Sequence, residues 1–398
     1  MNKMKFAGRT LCLITSLYTL SIYAGGLEDH VHFDQSQDVY FEQFDANLFS
    51  LELLQAKDKF QNHDVIVGGS FQVDAQHWNG DRIEASYQKG TDLYFTQATL
   101  DLMTKVNSWA TLFGSAAEAY IGNMGPAGNT FFSPHAFALF GNLNQFPVYL
   151  TTGINDIPFG VFTGTGPWDT PLTANYFNPS QAPQISLAFY KKGWNIAATE
   201  FNDQTNYKNH MAYSLYYKKT IEKFGYTAGI GYATALQANA NNNAVARAQH
   251  VKRRSISNTE KLGDVLDLNG SVTYNNLTLL GEYDRGTQNV LANRDRPSAY
   301  SLVINYIKNL WGRDTTFGAG YSETFHLKDV PTGLQGNNGL SSAPSGLKNA
   351  WSLNVSRAIF SDNVELGADW QRATTYPTAT HSNGKNSNTY TLDLVVYL

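Results

Sequence analysis

The stretch TYTLDLVVYL, residues 389–398, decides the fold. Tyr390, Leu392, Leu394, Val396 and Leu398 fall on one face of an extended chain. Thr389, Thr391 and Asp393 fall on the other, which Val395 and Tyr397 turn apolar near the end. Such alternation is the period of a strand whose faces meet different surroundings. In a transmembrane barrel those are lipid and lumen, and the last strand pairs with the first so that no edge stays open. A terminal strand of this kind, with Leu398 where Phe is usual, makes the barrel-assembly machinery an expected partner.

The same alternation recurs upstream. Val65, Val67, Gly69, Phe71, Val73 and Ala75 form a first run, and further runs lie at 94–102, 109–121, 137–143, 148–154, 185–189, 194–201 and 211–217. Others follow at 224–234, 265–274, 277–283, 300–306, 316–325, 351–359, 364–370 and 390–398. That makes about sixteen strands, many shorter than the ~9–11 residues of a tilted membrane strand. The spacers alternate: 104–107, 144–146, 191–193, 218–223, 275–276, 308–313 and 360–363 are short, whereas 155–182, 236–262, 285–297, 326–347 and 372–388 are long. Short turns on one rim and long loops on the other mark an outer-membrane barrel. The expected fold is therefore all-β, a 16-stranded antiparallel transmembrane barrel over residues 64–398, with both termini on the periplasmic side.

Composition agrees. Of 398 residues, 16% are charged and 13% aromatic, against roughly 25% charged in soluble domains. Mean hydropathy is only −0.33, and beyond the N-terminus there is no run of the ~18 apolar residues that a membrane helix requires. Residues 1–24 read as a signal peptide, with Lys3, Lys5 and Arg9 ahead of an apolar stretch and Ala24 at the cleavage point. Its loss takes the net charge from −4 to −7, which argues against nucleic-acid binding. It also removes Cys12, the sole cysteine, and with it any thiol chemistry. Residues 25–63 form a short periplasmic N-terminal segment, in which 45–60 (DANLFSLELLQAKDKF) has near-helical spacing of Leu48, Leu51 and Leu54.

The site candidates lie on loops. In the third long loop, Pro158, Phe159 and Gly160, followed by Trp168 and Asp169, suit a segment that folds inward and narrows a pore. Two basic clusters stand out, Arg247, His250, Lys252, Arg253 and Arg254 in the fifth long loop and Arg285, Arg294 and Arg296 in the sixth. They suit capture of a small anionic solute or contact with lipopolysaccharide. Tyr213, Tyr216, Tyr217, Tyr226, Tyr232, Tyr300 and Tyr306 read as interfacial girdles, and Trp78, Trp168 and Phe159 as candidate stacking aromatics. His30 and His32 sit in a stretch that does not fix ligand geometry, so neither a metal site nor a cofactor is expected. There is no G-x-S-x-G elbow, and His210 and Ser214 are ~13 Å apart along a strand, so no enzyme is expected.

The order GNLNQ (141–145), P-x-Y-L-T (147–151), PFG (158–160) and DTPLT (169–173) resembles the LbtU-family siderophore porins of intracellular gammaproteobacteria. The flanks at 97–123 and EFNDQ (200–204) are similar as well. The resemblance implies a bacterial outer-membrane porin that takes up a ferric siderophore without an energy-coupling plug. Its expected partners are outer-membrane lipid and lipopolysaccharide, with a homotrimer as the assembly to test. The alternatives are a general or anion-preferring diffusion porin and, further off, a barrel enzyme or adhesin.

Overall fold

The computed structural model describes residues 30–33, 41, 45–79, 89–121, 130–132, 135–166, 170–179, 181–202, 209–234, 264–287, 295–328, 347–377, 384 and 386–398. The signal segment lies outside them. The chain runs β1 (Val31–Phe33), α1 (Phe49–Ala56), β2 (Val65–Asn79), β3 (Lys89–Lys105), β4 (Ala110–Ile121), β5 (Thr130–Phe132), β6 (Ala136–Gly141) and β7 (Val148–Asp156). It continues with α2 (Leu172–Phe177), β8 (Gln181–Lys191), β9 (Trp194–Asn202), β10 (Asn209–Ile221), β11 (Phe224–Ala233) and β12 (Val265–Tyr274). The remainder is β13 (Leu277–Gly286), β14 (Ser298–Leu310), β15 (Arg313–Phe325), β16 (Leu347–Ala358), β17 (Val364–Thr375) and β18 (Asn386–Tyr397).

These strands form one ring. Each pairs antiparallel with its sequence neighbour, and β18 closes on β2, with Asp393 opposite Asp74 and Tyr397 opposite Ser70. Both β5 and β6 pair with β4, so together they make one wall strand. Apart from β1, a short parallel strand on β2 that the sequence did not announce, the wall has sixteen strands. The observed strands outrun their apolar cores because polar and aromatic residues carry the pairing to the rims. The run at 300–306, for example, becomes β14, which pairs through Lys308 and Asn309.

On the short rim, two-residue turns join β8 to β9, β10 to β11, β12 to β13 and β14 to β15. Lys192, Glu222, Asn275 and Trp311 take positive φ there, the hand that matches strand twist. Outward positions are apolar and exposed, among them Leu112, Ile196, Leu302, Leu353, Tyr390 and Leu392. Inward positions are small or polar, as Thr391 and Asp393 show on β18. Among the described residues no helix is long and apolar enough to cross a membrane.

A barrel wall has no core of its own to fill, so the buried apolar clusters mark what has entered the lumen. One gathers α1 and its flanks against inward residues of β2 to β10. The other gathers the β7–β8 loop, including α2, against the wall from β9 to β17.

Candidate functional site

The β7–β8 loop leaves its own strands and crosses to the opposite wall. Phe159 is buried against Gly231 of β11, where a Cβ would stand 2.8 Å from its ring. Gly160 turns the chain with φ 71°, a left-handed value that favours glycine. The Gly160 carbonyl accepts the Tyr216 hydroxyl from β10 at 3.3 Å. The next two amides, of Val161 and Phe162, donate to the Glu282 carboxylate on β13. The backbone at Thr165 then passes Gly318 of β15, and Gly166 passes Asn354 of β16 and Asp369 of β17. After residues 167–169, α2 lies against β13 to β16. Thr173 donates to Ser301, and the Tyr176 hydroxyl accepts the Leu347 amide at 2.7 Å. Tyr176 is fully buried, which pushes its phenol pKa up.

The wall is cleared for this path. The inward face of β11 reads Gly225, Thr227, Gly229, Gly231 and Ala233, so large rings fit against it. A Cβ on Gly229 would stand 2.4 Å from the Tyr216 ring. The wall facing the loop is also acidic. Asp267, Glu282 and Asp284 on β12 and β13, and Asp369, Asp393 and Asp74 on β17, β18 and β2, are buried at inward positions. Those five strands carry two arginines, Arg285 and Arg372, and one histidine, His77, all at outward positions.

The N-terminal insert sits toward the short-turn rim. Leu53 and Leu54 are fully buried, and Phe49 packs edge-on to Phe113 at 5.0 Å. Lys57 is buried and donates to the carbonyls of Ser108, at 2.7 Å, and Gly141. Lys105 caps the Phe60 carbonyl. Burial pulls the Lys57 ammonium below its ordinary pKa and pushes the Glu52 carboxyl up, the latter aided by Asp45 and opposed by Lys218 at 3.1 Å. At the entrance to β2, burial opposes charge on Asp64. Hydrogen bonds from His30, at 2.9 Å, and from the Gln61 amide nevertheless hold its pKa below the usual carboxylate value.

Of the constriction-loop candidates, Phe159 and Gly160 reach the far wall with Pro158 beside them, while Trp168 and Asp169 lie outside the described residues. Arg247, His250, Lys252, Arg253, Arg254 and Arg294 also lie outside them. Arg285 and Arg296 share a rim cavity of about 480 Å³ with Tyr283, Ser298, Phe325 and a His326–Asp295 pair at 3.2 Å. Tyr213 and Tyr306 are exposed on the outer wall, and Tyr217 packs on Trp194, as girdle residues would. Tyr216 is the correction: it points inward, between α1 and the crossing loop, because strand parity sets it opposite its neighbours. Trp78 is a second correction. It is a buried strand residue that stacks over Gly90, and no loop aromatic.

Sequence reasoning missed the lumen carboxylates, whose signal was their parity with the small inward residues. It also missed a Ser115–His135–Asp156 chain, with His135 3.4 Å from the Ser115 hydroxyl and 3.0 Å from Asp156. There Ser115 accepts the backbone amide of His135, and Phe49 stacks on the imidazole at 5.3 Å. The hydroxyl is thus engaged and the ring is covered, an arrangement that ties β4 to β7 beside α1.

Comparison with known proteins places this geometry. The family described as "Protein of unknown function (DUF3573)" matches residues 33–263. The UPF0422 protein of Coxiella burnetii is 24% identical over 247 residues, 59% of this chain and 52% of that protein, so the match spans about half the relative's length. Among solved structures, Salmonella typhi OmpF in complex with daunomycin matches with TM-score 0.55 and 12% identity, over 85% of this chain and 98% of that one. The anion-selective porin from Comamonas acidovorans matches with TM-score 0.55 and 10% identity, over 85% and 100%. The outer membrane channel DcaP of Acinetobacter baumannii matches with TM-score 0.53 and 12% identity, over 85% and 98%. These likenesses concern the fold: a porin-like β-barrel of the bacterial outer membrane.

Proposed function

The chain belongs to the DUF3573 family, and on that premise we propose that this porin-like barrel is a selective channel for passive uptake of a small solute, with a ferric siderophore as its cargo. The observation that carries the reading is the crossing of the lumen by the β7–β8 loop, latched through Glu282 on the far wall. A loop held there narrows the path and presents its own groups to whatever passes. The iron cargo comes from the sequence resemblance, and the lumen chemistry narrows its class. Carboxylates along β2, β12, β13, β17 and β18 repel anions inside low-dielectric walls. A neutral or cationic complex, such as a ferric hydroxamate, suits them better than a ferric carboxylate. The proposed partners are outer-membrane lipid and lipopolysaccharide, the assembly machinery at β18, and a second copy of the chain in a homotrimer.

A second reading, an anion-preferring diffusion porin, is favoured by Arg285 and Arg296 at the rim cavity. Planar bilayers separate the two. Selective uptake predicts a cation-side reversal potential in a KCl gradient and channel block by a ferric hydroxamate at lower concentration than by ferric citrate. An anion-side potential, with block by citrate first and sensitivity to joint neutralisation of Lys252, Arg253 and Arg254, favours the porin reading. Absence of any conductance overturns both.

A further inference from the structure

We infer that Asp267, Glu282 and Asp284 form a binding site for a divalent cation, Ca²⁺ by its chemistry, that cements the crossing loop to the barrel wall. Asp267 stands opposite Asp284 in the β12–β13 pairing, and Glu282 shares their inward face two residues away. One oxygen from each lies within 4.8 Å of the others, and all three residues are buried.

Some of their oxygens are spoken for. Asp267 Oδ1 accepts Asn269 at 2.6 Å, and both Glu282 oxygens accept from the loop amides of Val161 and Phe162. The remaining oxygens are not: both carboxylate oxygens of the fully buried Asp284 and Oδ2 of Asp267 have no hydrogen-bond partner. Among the described residues no lysine or arginine pairs with any of the three. Buried carboxylates without donors are disfavoured as anions, and three together more so. A cation at their centre removes both costs at once.

The donor set is all oxygen, which selects a hard cation. Three carboxylates fixed on the wall suit Ca²⁺, which accepts six to eight oxygens at variable geometry, better than Mg²⁺ with its strict octahedron. Glu282 would then have two tasks, a ligand through its remaining lone pairs and an acceptor for the loop amides. Cation binding and loop docking are linked through it, so occupancy stabilises the docked loop by mass action. This inference does not rest on the cargo reading, and occupancy would leave the carboxylates of β2, β17 and β18 to set the charge preference of the lumen.

The test uses the full-length barrel refolded in lipopolysaccharide-free detergent and stripped with EGTA. Calorimetric titration with CaCl₂ is expected to find one Ca²⁺ per chain, lost in Asp284→Asn and kept in Asp393→Asn, a lumen carboxylate outside the cluster. Calcium is also expected to raise the melting temperature of the parent and of Asp393→Asn, but not of Asp284→Asn. Should Asp284→Asn fail to fold, Asp267→Asn takes its place beside the parent's own response to EGTA. Equal calcium binding by parent and Asp284→Asn overturns the site, as does a parent melting temperature indifferent to Ca²⁺ and EGTA. A stabilised Asp284→Asn in metal-free buffer, together with a parent that binds nothing, would mean that the carboxylates share protons instead.

Discussion

Among the described residues two segments enter the lumen, and they are held by different mixtures of contacts. The N-terminal insert around α1 is an apolar plug. Leu51, Leu53, Leu54, Phe49 and Phe60 meet Ile66, Met103, Phe113 and Leu139 on one half of the wall, and Lys57 and Lys105 satisfy backbone carbonyls at its edge. The β7–β8 loop packs Phe159, Leu172 and Phe177 on the other half and adds directed contacts: two amides on Glu282, Tyr216 on a carbonyl, Tyr176 on an amide and threonine on serine. Glycines let its backbone and rings approach closely. Burial of apolar area is indifferent to small shifts, whereas hydrogen bonds to a buried carboxylate are lost with the geometry. The first segment therefore resembles a fixed floor and the second a latch.

The largest test of that contrast is excision. Removing residues 159–177 is expected to raise single-channel conductance severalfold, and removing 45–60 to raise it less while lowering thermal stability more. The reverse ranking would exchange the roles of floor and latch. Next comes Leu53→Ala, expected to cost about 2–5 kcal/mol as a cavity in a fully buried cluster. Protease susceptibility of the N-terminal insert measures it. Glu282→Gln removes a charged acceptor from two amides, worth roughly 1.5–3 kcal/mol, and its readout is open-channel noise and not global melting. Gly231→Val crowds Phe159 and is expected to give the same noise with Glu282 intact; a quiet channel would show that the Phe159 contact does not hold the loop. The smallest effect concerns pH. The Asp64 carboxyl is held below its ordinary value, so its contribution is present above the unfolded carboxylate value and is lost as pH falls through the lower folded one. Hydrogen exchange at residues 61–66 is expected to accelerate below about pH 4, and less so in Asp64→Asn.

Legibility followed the same division. The leucine spacing in 45–60 announced a helix, since an apolar segment carries its own period. That the helix packs inside the barrel was not written there, because an apolar face names no partner. For the loop, Pro158, Phe159 and Gly160 suggested an inward fold. The receiving residues, Gly229, Gly231, Glu282, Asn354 and Asp369, are scattered over strands far apart in sequence. Tyr216 shows how one step of parity decides a role: Tyr217 beside it faces outward and packs on Trp194, and Tyr216 reaches the loop carbonyl.

The sequence by itself determined a sixteen-stranded wall, its closure through 389–398 and the asymmetry of its two rims, because period-2 alternation and spacer length are local properties. Only the tertiary structure decided what fills that wall. Ring closure brings Asp74 beside Asp393, hairpin register sets Asp267 across from Asp284, and the lumen crossing lays residues 159–166 on six strands. No residue carries in its own neighbourhood the identity of what faces it across a lumen.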